Sequence, residues 1–584
     1  MKKFTVLLIS FVFLGRLAMA QGTVPSMGAY AMDGYNHEDL SDIIRLFPGM
    51  YPQDLGTLHA PLYFLPWGLW PGQMRYVLDG LPLERRYDGL WDPDMLPVSE
   101  IDSITFQSVP VSGLFPGAGG RMSLITRDLP VDSPYSEIRL REGYYGFGTV
   151  DFAHGQGVYK TLDLQVTGRL GWYDGMRDRT ASRLTRVRGK LRWRATRNWW
   201  LEGLCHRSKL HADSELNGHG ETLMRTEGQL ALLPTDSMQS VFRPTVRLFL
   251  REDKERWGDP WAVRDLTGGA LFDASFLLPR QRLQATGLAR LSSLHLPASR
   301  DTDTRDFELT LADSVDVAGV MGIELGCGVH SQDDWDATAG RYGVRGVVPV
   351  GKVCTAFGGF QRFEQYPAPL WVQGGYSLSD RPLLIAPSLA NLSDSLIGCP
   401  LRKEKISQAE AGVSADWSRL KLRVAAVNIV TDDRFVPWTS TAMPDPSTDA
   451  RWGGAFQMHL TLRRDLCLES RWSVLWTSET DYQKADETRG FTRLYFDRTF
   501  FKAPLYVRAS LSHTYLGERT AFSYLGYRQF DPVHLAGFRV SMRIRGLMLF
   551  WGTENIGAKH YEYVPGFLMI RKEEYWGLKW IFHY

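Results

Sequence analysis

From about Tyr135 to its C-terminus the chain repeats one pattern, segments of roughly ten residues in which apolar and polar side chains alternate. Leu162, Leu164, Val166, Gly168, Leu170 and Trp172 alternate with Asp163, Gln165, Thr167, Arg169 and Gly171. Val187, Gly189, Leu191, Trp193 and Ala195 alternate with Arg186, Arg188, Lys190, Arg192 and Arg194, and Ala536 to Arg545 repeats the arrangement. A period of two marks a strand with unlike faces. Segments long enough to cross a bilayer when tilted, with arginine along the polar face, predict membrane strands around a wet lumen. Placing them from 135–142 to 573–584 predicts about twenty-two, a barrel wide enough to need a plug; one hairpin more or less gives twenty to twenty-four. Connections alternate between short (Arg197-Asn198, Pro279-Arg280, Trp417 to Arg419, Lys502-Ala503) and long (Glu364 to Lys405, Thr431 to Arg451), as the two rims of such a barrel require.

The first part of the chain is patterned differently. Leu40, Ile43, Ile44 and Phe47 share one face of a short predicted helix that Pro48-Gly49 stops. Tyr76 to Arg127 reads as strand, Asp79-Gly80 turn, a segment from Leu96 to Ile104, a Gly-rich turn over Phe115 to Gly120, and a closing strand. The predicted fold class is membrane all-β, a twenty-two-stranded antiparallel transmembrane β-barrel with an N-terminal α+β domain in its lumen. The expected boundaries are 1–20 signal peptide, 21–36 flexible N-terminus, 37–132 luminal domain and 133–584 barrel.

Composition sharpens this in three places. Lys2-Lys3, the apolar run from Phe4 to Leu14 and Ala18-Met19-Ala20 form a secretory signal peptide, too short to span a bilayer. The five cysteines lie far apart without metal-ligand spacing, so neither a zinc site nor a disulfide framework is expected, and whether any pair remains open. The formal charge of +2 gives no nucleic-acid signature. Its distribution is uneven, however. Gln21 to Pro130 holds thirteen acids against six bases, so the barrel carries the positive excess, and an acidic plug in a basic lumen accounts for the luminal arginines without a charged cargo.

Leu78-Asp79-Gly80-Leu81-Pro82, Leu96-Pro97 to Ile104, Gly113 to Gly120 and Leu124-Ile125-Thr126-Arg127 together resemble the plug domain of TonB-dependent outer-membrane receptors. The tail resembles that family's closing strands. The resemblance covers plug, last hairpin and general layout, and departs in one place: Phe64 to Trp70 stands where the family has an Arg-Gly pair. It implies export to a Gram-negative outer membrane and a TonB-contacting segment near Thr23, Val24 and Pro25. Asp79, Gly80, Gly117, Gly119 and Gly120 would be plug hallmark turns, and Trp576, Leu578, Trp580, Phe582 and Tyr584 a barrel-insertion signal. The implied partners are outer-membrane lipid and lipopolysaccharide, the inner-membrane TonB complex if transport is energised, the barrel-assembly machinery and a small nutrient ligand.

No nucleophile elbow, zinc-protease helix or phosphate-binding loop is present, so no enzyme, catalytic residue, metal site or cofactor is expected. Trp67, Trp70, Trp335, Tyr366, Trp371 and Tyr376 are candidates for stacking on a ligand, against a reading as girdle or loop packing. The expected function is uptake of a scarce nutrient (an iron chelate, corrinoid, oligosaccharide or peptide). The alternative is a non-energised plugged porin or a surface binding or assembly component.

Overall fold

A computed structural model of the chain describes residues 24–583 apart from 57, 59–61, 70, 87–88, 177–179, 214–219, 236–239, 258–260, 296–301, 334–336, 366–402, 433–448, 478–487, 502–504, 524–525 and 571. Among these, twenty-two antiparallel strands close into one barrel, and the last, Glu573–His583, pairs with the first, Tyr135–Gly143. The alternation drives this. In the strand Ser182–Thr196, Arg186, Arg188 and Lys190 point inward and are buried, whereas Val187, Leu191 and Trp193 face outward and are 45 to 47% exposed. The outward face meets lipid, so exposed apolar side chains are at home there. Links of two residues at 197–198, 279–280 and 545–546 gather at one rim, and the strand ends Gln365 and Glu404, Asp432 and Asp449, and Glu554 and Glu573, between which the long connections run, lie at the other. The predicted signal peptide and Tyr584 lie outside the described residues.

The luminal domain contains β1 (Ser26–Gly28), α1 (Ala29–Met32), α2 (Ser41–Ile44), β2 (Met50–Gln53), β3 (Tyr63–Pro66), β4 (Arg75–Leu78), β5 (Leu81–Pro82), β6 (Ile101–Gln107) and β7 (Arg121–Thr126). Its main sheet runs β1-β6-β7-β4-β5, with β4 and β7 parallel and the other pairs antiparallel. Ile43, Ile44, Phe47, Tyr76, Leu78, Ile104, Phe106, Met122 and Leu124 pack one core against it. The predicted helix over 38–47 shortens to α2. Asp39 accepts bonds from the Ser41 hydroxyl (2.5 Å) and the Asp42 amide (3.3 Å), and Asp42 accepts one from the Glu38 amide (2.7 Å). Asp39 so placed caps the helix start, and the Leu46 and Phe47 amides turn to carbonyls three residues back, which closes it.

The segment expected to be flexible, 21–36, is paired from Pro25 onward. Ser26 to Gly28 lie opposite Ser103 to Thr105, and the Phe106 amide donates to the Pro25 carbonyl. Tyr30 reaches the Tyr506 hydroxyl at 2.9 Å, beside the short-turn rim. Asp79 and Gly80 turn β4 into β5 with φ of 49° and 95°, the left-handed pair that a tight hairpin needs. Gly120 has a φ of 106°, and a Cβ there would lie 2.4 Å from the Gln107 carbonyl oxygen. Replacing Gly120 by Val therefore adds both strain and a backbone clash. The expected loss is about 3 kcal/mol of plug stability. It reads out as faster hydrogen exchange at Ile104 and Leu124 in a protein whose barrel still shifts its gel mobility on heating.

Candidate functional site

The plug meets the wall through charge, and in both directions. Plug acids pair with wall bases: Asp33 with Arg139 (2.6 Å) and Lys579 (3.3 Å), Glu100 with Arg186 (3.0 Å), and Asp128 with Lys190 (2.6 Å) and Arg192 (3.2 Å). Plug bases pair with wall acids: Arg45 with Glu554 (3.1 Å), Arg75 with Glu308 (2.7 Å), Arg85 with Glu255 (3.3 Å), and Arg86 with Asp306. The charge count anticipates the first set only. Glu255, Asp306 and Glu308 sit on inward positions that the alternation identifies, but nothing in the sequence says which plug arginine each will face.

The second set builds a cavity toward the long-connection rim. Phe115, Pro116 and Gly117 of the apical turn, with Glu84, Arg85, Arg86 and Gly89, form its floor. Arg290, Asp306, His330, Gln332, Glu364 and Gln365, each near the long-connection end of its strand, form its wall. The space is about 140 Å3, enough for a cluster of waters or a small polar group. Arg75 fixes the floor: its Nε donates to the Phe115 carbonyl (2.8 Å) and its far nitrogen to Glu308, whose other oxygen accepts from the Phe115 amide (3.2 Å). From the wall, Arg341 donates to the carbonyls of Gly113 and Leu114 at 3.2 Å each. Asp306 is shared by Arg86, Arg290 (2.5 Å) and His330 (3.1 Å), and the His330 ring lies 5.6 Å from that of Phe115. A ligand entering from the rim therefore meets guanidinium and carboxylate groups already bonded to one another. Binding there would have to exchange with those bonds.

Of the sequence-predicted residues, Gly117 lies in this floor, and Gly119 and Gly120 continue the same turn away from it. A Cβ on Gly117 would fall 2.0 Å from the Gln73 carbonyl oxygen, and one on Gly119 would meet Pro66 at 2.3 Å. Asp79 lies away from the cavity and accepts bonds from the Thr126 amide (2.9 Å) and hydroxyl (2.7 Å). Trp67 is 1% exposed, in a buried cluster with Tyr51, Leu65 and barrel residues including Ala455 and Leu475, so it presents no face to a ligand. Trp70, Trp335, Tyr366, Trp371 and Tyr376 lie outside the described residues, as does Thr23. Val24 and Pro25 lead into β1. Trp576 and Trp580 face outward on the last strand, 56% and 49% exposed, with Leu578 and Phe582 partly buried. Among the described residues no cluster of His, Cys, Asp and Glu has the geometry to hold a metal ion. Cys205, Cys327, Cys354 and Cys467 are free.

Two predictions follow from these charges. Truncating Arg75 to Ala leaves the buried Glu308 with only the Phe115 amide and a longer contact to Arg290 (3.5 Å); the loss is about 3 kcal/mol, and Arg75→Ala/Glu308→Ala largely restores it. Hydrogen exchange at Phe115 and Gly117 in the two single variants and the double variant measures it. Burial pushes the carboxyls of Asp42 and Asp92 up to about 7, above their unfolded values near 4. The folded plug thus takes up protons, and its stability falls as pH rises from about 4 to 7. Amides of 41–47 and 92–96, corrected for intrinsic exchange, should be better protected at pH 5.5 than at pH 8. Asp42→Asn/Asp92→Asn should flatten that difference.

No family model matches the chain, and no curated protein does. Among solved structures, a mutant of the ferric enterobactin receptor from Pseudomonas aeruginosa superposes with a TM-score of 0.76 at 15% identity, over 96% of this chain and 98% of that one. The siderophore receptor PirA from the same organism gives 0.74 at 14% over 96% and 99%, and the copper transporter OprC gives 0.78 at 12% over 96% and 99%. At such identities the likeness is one of fold: a twenty-two-stranded barrel with its N-terminal domain in the lumen, as in these outer-membrane receptors.

Proposed function

We propose that the protein is an outer-membrane receptor and transporter that takes up a scarce nutrient past a movable plug. The observation that carries the reading is the chemistry of the seam. The plug is seated largely by ion pairs and side-chain bonds to backbone carbonyls, and these groups regain water when the plug moves. A rim-side cavity floored by the plug supplies a place where a ligand can bear on it. The neighbours' titles name ferric enterobactin and copper for those proteins; for this chain an iron chelate, a corrinoid, an oligosaccharide and a peptide all stand, since the cavity's mixed charge selects none.

The second reading, a plugged barrel that is not energised, rests on the N-terminal segment. Tyr30, Asp33, Tyr35 and Asn36 all bond to the wall, which holds down the N-terminal segment. Retention of the purified protein on the periplasmic domain of TonB separates the two. The transporter reading expects retention, lost on deleting residues 21–29, and uptake of the co-purifying cargo that stops in a TonB-deficient strain. No retention with unchanged uptake leaves the second reading standing.

A further inference from the structure

A second space, about 40 Å3, lies elsewhere in the seam between plug and wall. On the plug side Leu46, Phe47 and Pro48 border it; on the wall side it meets the strands Leu466–Thr477, Thr488–Phe500 and Leu505–Leu516. The alternation places its lining. Arg489, Phe491 and Arg493 are successive inward positions of one strand, and Ser510, Ser512 and Thr514 are those of the next. Register sets Ser473 opposite Arg489, Ser512 opposite Arg493 and Thr514 opposite Phe491. At about 10–15 Å3 for each water-sized position, the space holds about three.

Four cations line it, Arg45, Arg471, Arg489 and Arg493, together with two carboxylates, Asp42 and Glu554. Arg45 holds both carboxylates, at 2.7 and 3.1 Å. Arg471 and Arg493 share a third, Glu469, at 2.7 and 2.9 Å. That leaves Arg489 without one. It is 7% exposed, and its one bond among the described residues runs to the Met50 carbonyl (3.2 Å). Other buried wall arginines that lack a carboxylate are better served, since Arg141 donates to two carbonyls and Arg341 to three. The hydroxyls of Ser473, Ser510, Ser512 and Thr514 also have no hydrogen-bond partner among the described residues.

We propose that this space binds a halide-sized monovalent anion, held by the Arg489 guanidinium and the wall hydroxyls against the plug segment that follows α2. A buried guanidinium with unused donors calls for a counter-charge, and four cations against three carboxylates leave one positive charge over. Guanidinium N–H groups and serine and threonine hydroxyls all donate, which is what a monatomic anion accepts from any direction. Volume narrows the class. About three water-sized positions admit a halide ion with a water, and no chelate, corrinoid or sugar. The plug forms one side of the space, so the anion is held only while the plug is seated, and its binding adds to the stability of that seat. The site lies beyond the proposed function and requires no cargo.

The test uses the full-length protein in detergent, with bromide as the probe. Crystals grown with bromide in place of chloride should show an anomalous scattering peak within hydrogen-bond reach of Arg489, and Arg489→Met should lose it. In solution, protection of the Phe47 and Met50 amides against hydrogen exchange should rise about fourfold from about 0.3 M gluconate to about 0.3 M chloride, as mass action gives for a dissociation constant of about 0.1 M. Gluconate carries the same charge and is too large to enter. Arg489→Lys should keep this dependence on the anion, and Arg489→Met should abolish it with heat-modifiable mobility intact. Water alone in the cavity of the bromide crystals, or equal protection of the wild type in the two salts, would overturn the proposal. Neither measurement involves cargo or TonB, so this site and the transport reading can fail separately.

Discussion

Everything inside the barrel depends on how the inward arginines are neutralised. A membrane strand with one apolar face has a polar one, and in a barrel of this width that face lines a lumen which the plug fills. Arg139, Arg141, Arg169 and Arg451 are almost wholly buried there. Some find partners within the wall, as Arg169 does with Asp151 at 2.5 Å and Arg225 with Asp253 at 2.6 Å. Others use the plug's carboxylates and carbonyls: Arg141 donates to the carbonyl oxygens of His37 and Glu38, Arg186 to Met95 and Arg489 to Met50. The plug's backbone is thus part of the wall's hydrogen-bonding complement, and the wall is part of the plug's.

This sets the energetics of any plug movement. Buried ion pairs gain little net free energy over their hydrated ions, because desolvation offsets much of the attraction. An apolar interface of similar extent would cost about 25 cal/mol for each Å2 returned to water. The plug keeps its apolar residues mostly in its own core, where Ile104, Phe106, Met122 and Leu124 pack on one another, and turns polar groups to the wall. Trp67 against Ala455 and Leu475, and Leu81 and Leu114 against Phe249, Leu271 and Leu288, are local exceptions that fix its seat. A plug so built holds its fold while its contacts with the wall exchange.

The barrel was legible in the sequence because a period of two over a long segment has no other physical reading when the polar face is rich in arginine. The strand Leu162–Tyr173 lies where alternation places it, as does Thr488–Phe500. The Asp79-Gly80 and Gly117 to Gly120 turns were legible because glycine marks backbone that other residues strain to adopt. What could not be read was partnership. Alternation turns Asp306 and Glu308 inward but does not specify that Arg86 and Arg75, more than two hundred residues earlier, will meet them. Trp67 looked like a ligand-stacking aromatic because composition records its type and not its burial. The helix expected over 38–47 is shorter, beginning after its Asp39 cap and closing in the bonds of the Leu46 and Phe47 amides to carbonyls three residues back.

The seam also gives the cavity a physical route to the opposite rim. Arg75 opens β4, and its guanidinium ties the apical turn to Glu308. The other end of β4 leads into Asp79, which bonds Thr126 at the close of β7 and lies 3.8 Å from Arg188. β7 pairs with β6, and β6 with β1, whose far end at Gly28 leads through α1 to Tyr30 beside the short-turn rim. A ligand that displaces Arg75 from Glu308 therefore acts on the first residue of a strand whose hydrogen bonds run unbroken to the N-terminal edge. Whether that path carries energy is a question of coupling, not of proximity. The decisive quantity is the interaction term between Arg75→Ala and a variant that loosens β1, such as Met27→Ala. A term of about 1 kcal/mol or more makes β4 to β1 one mechanical unit, and additivity makes the rim cavity and the N-terminal edge independent devices sharing a plug.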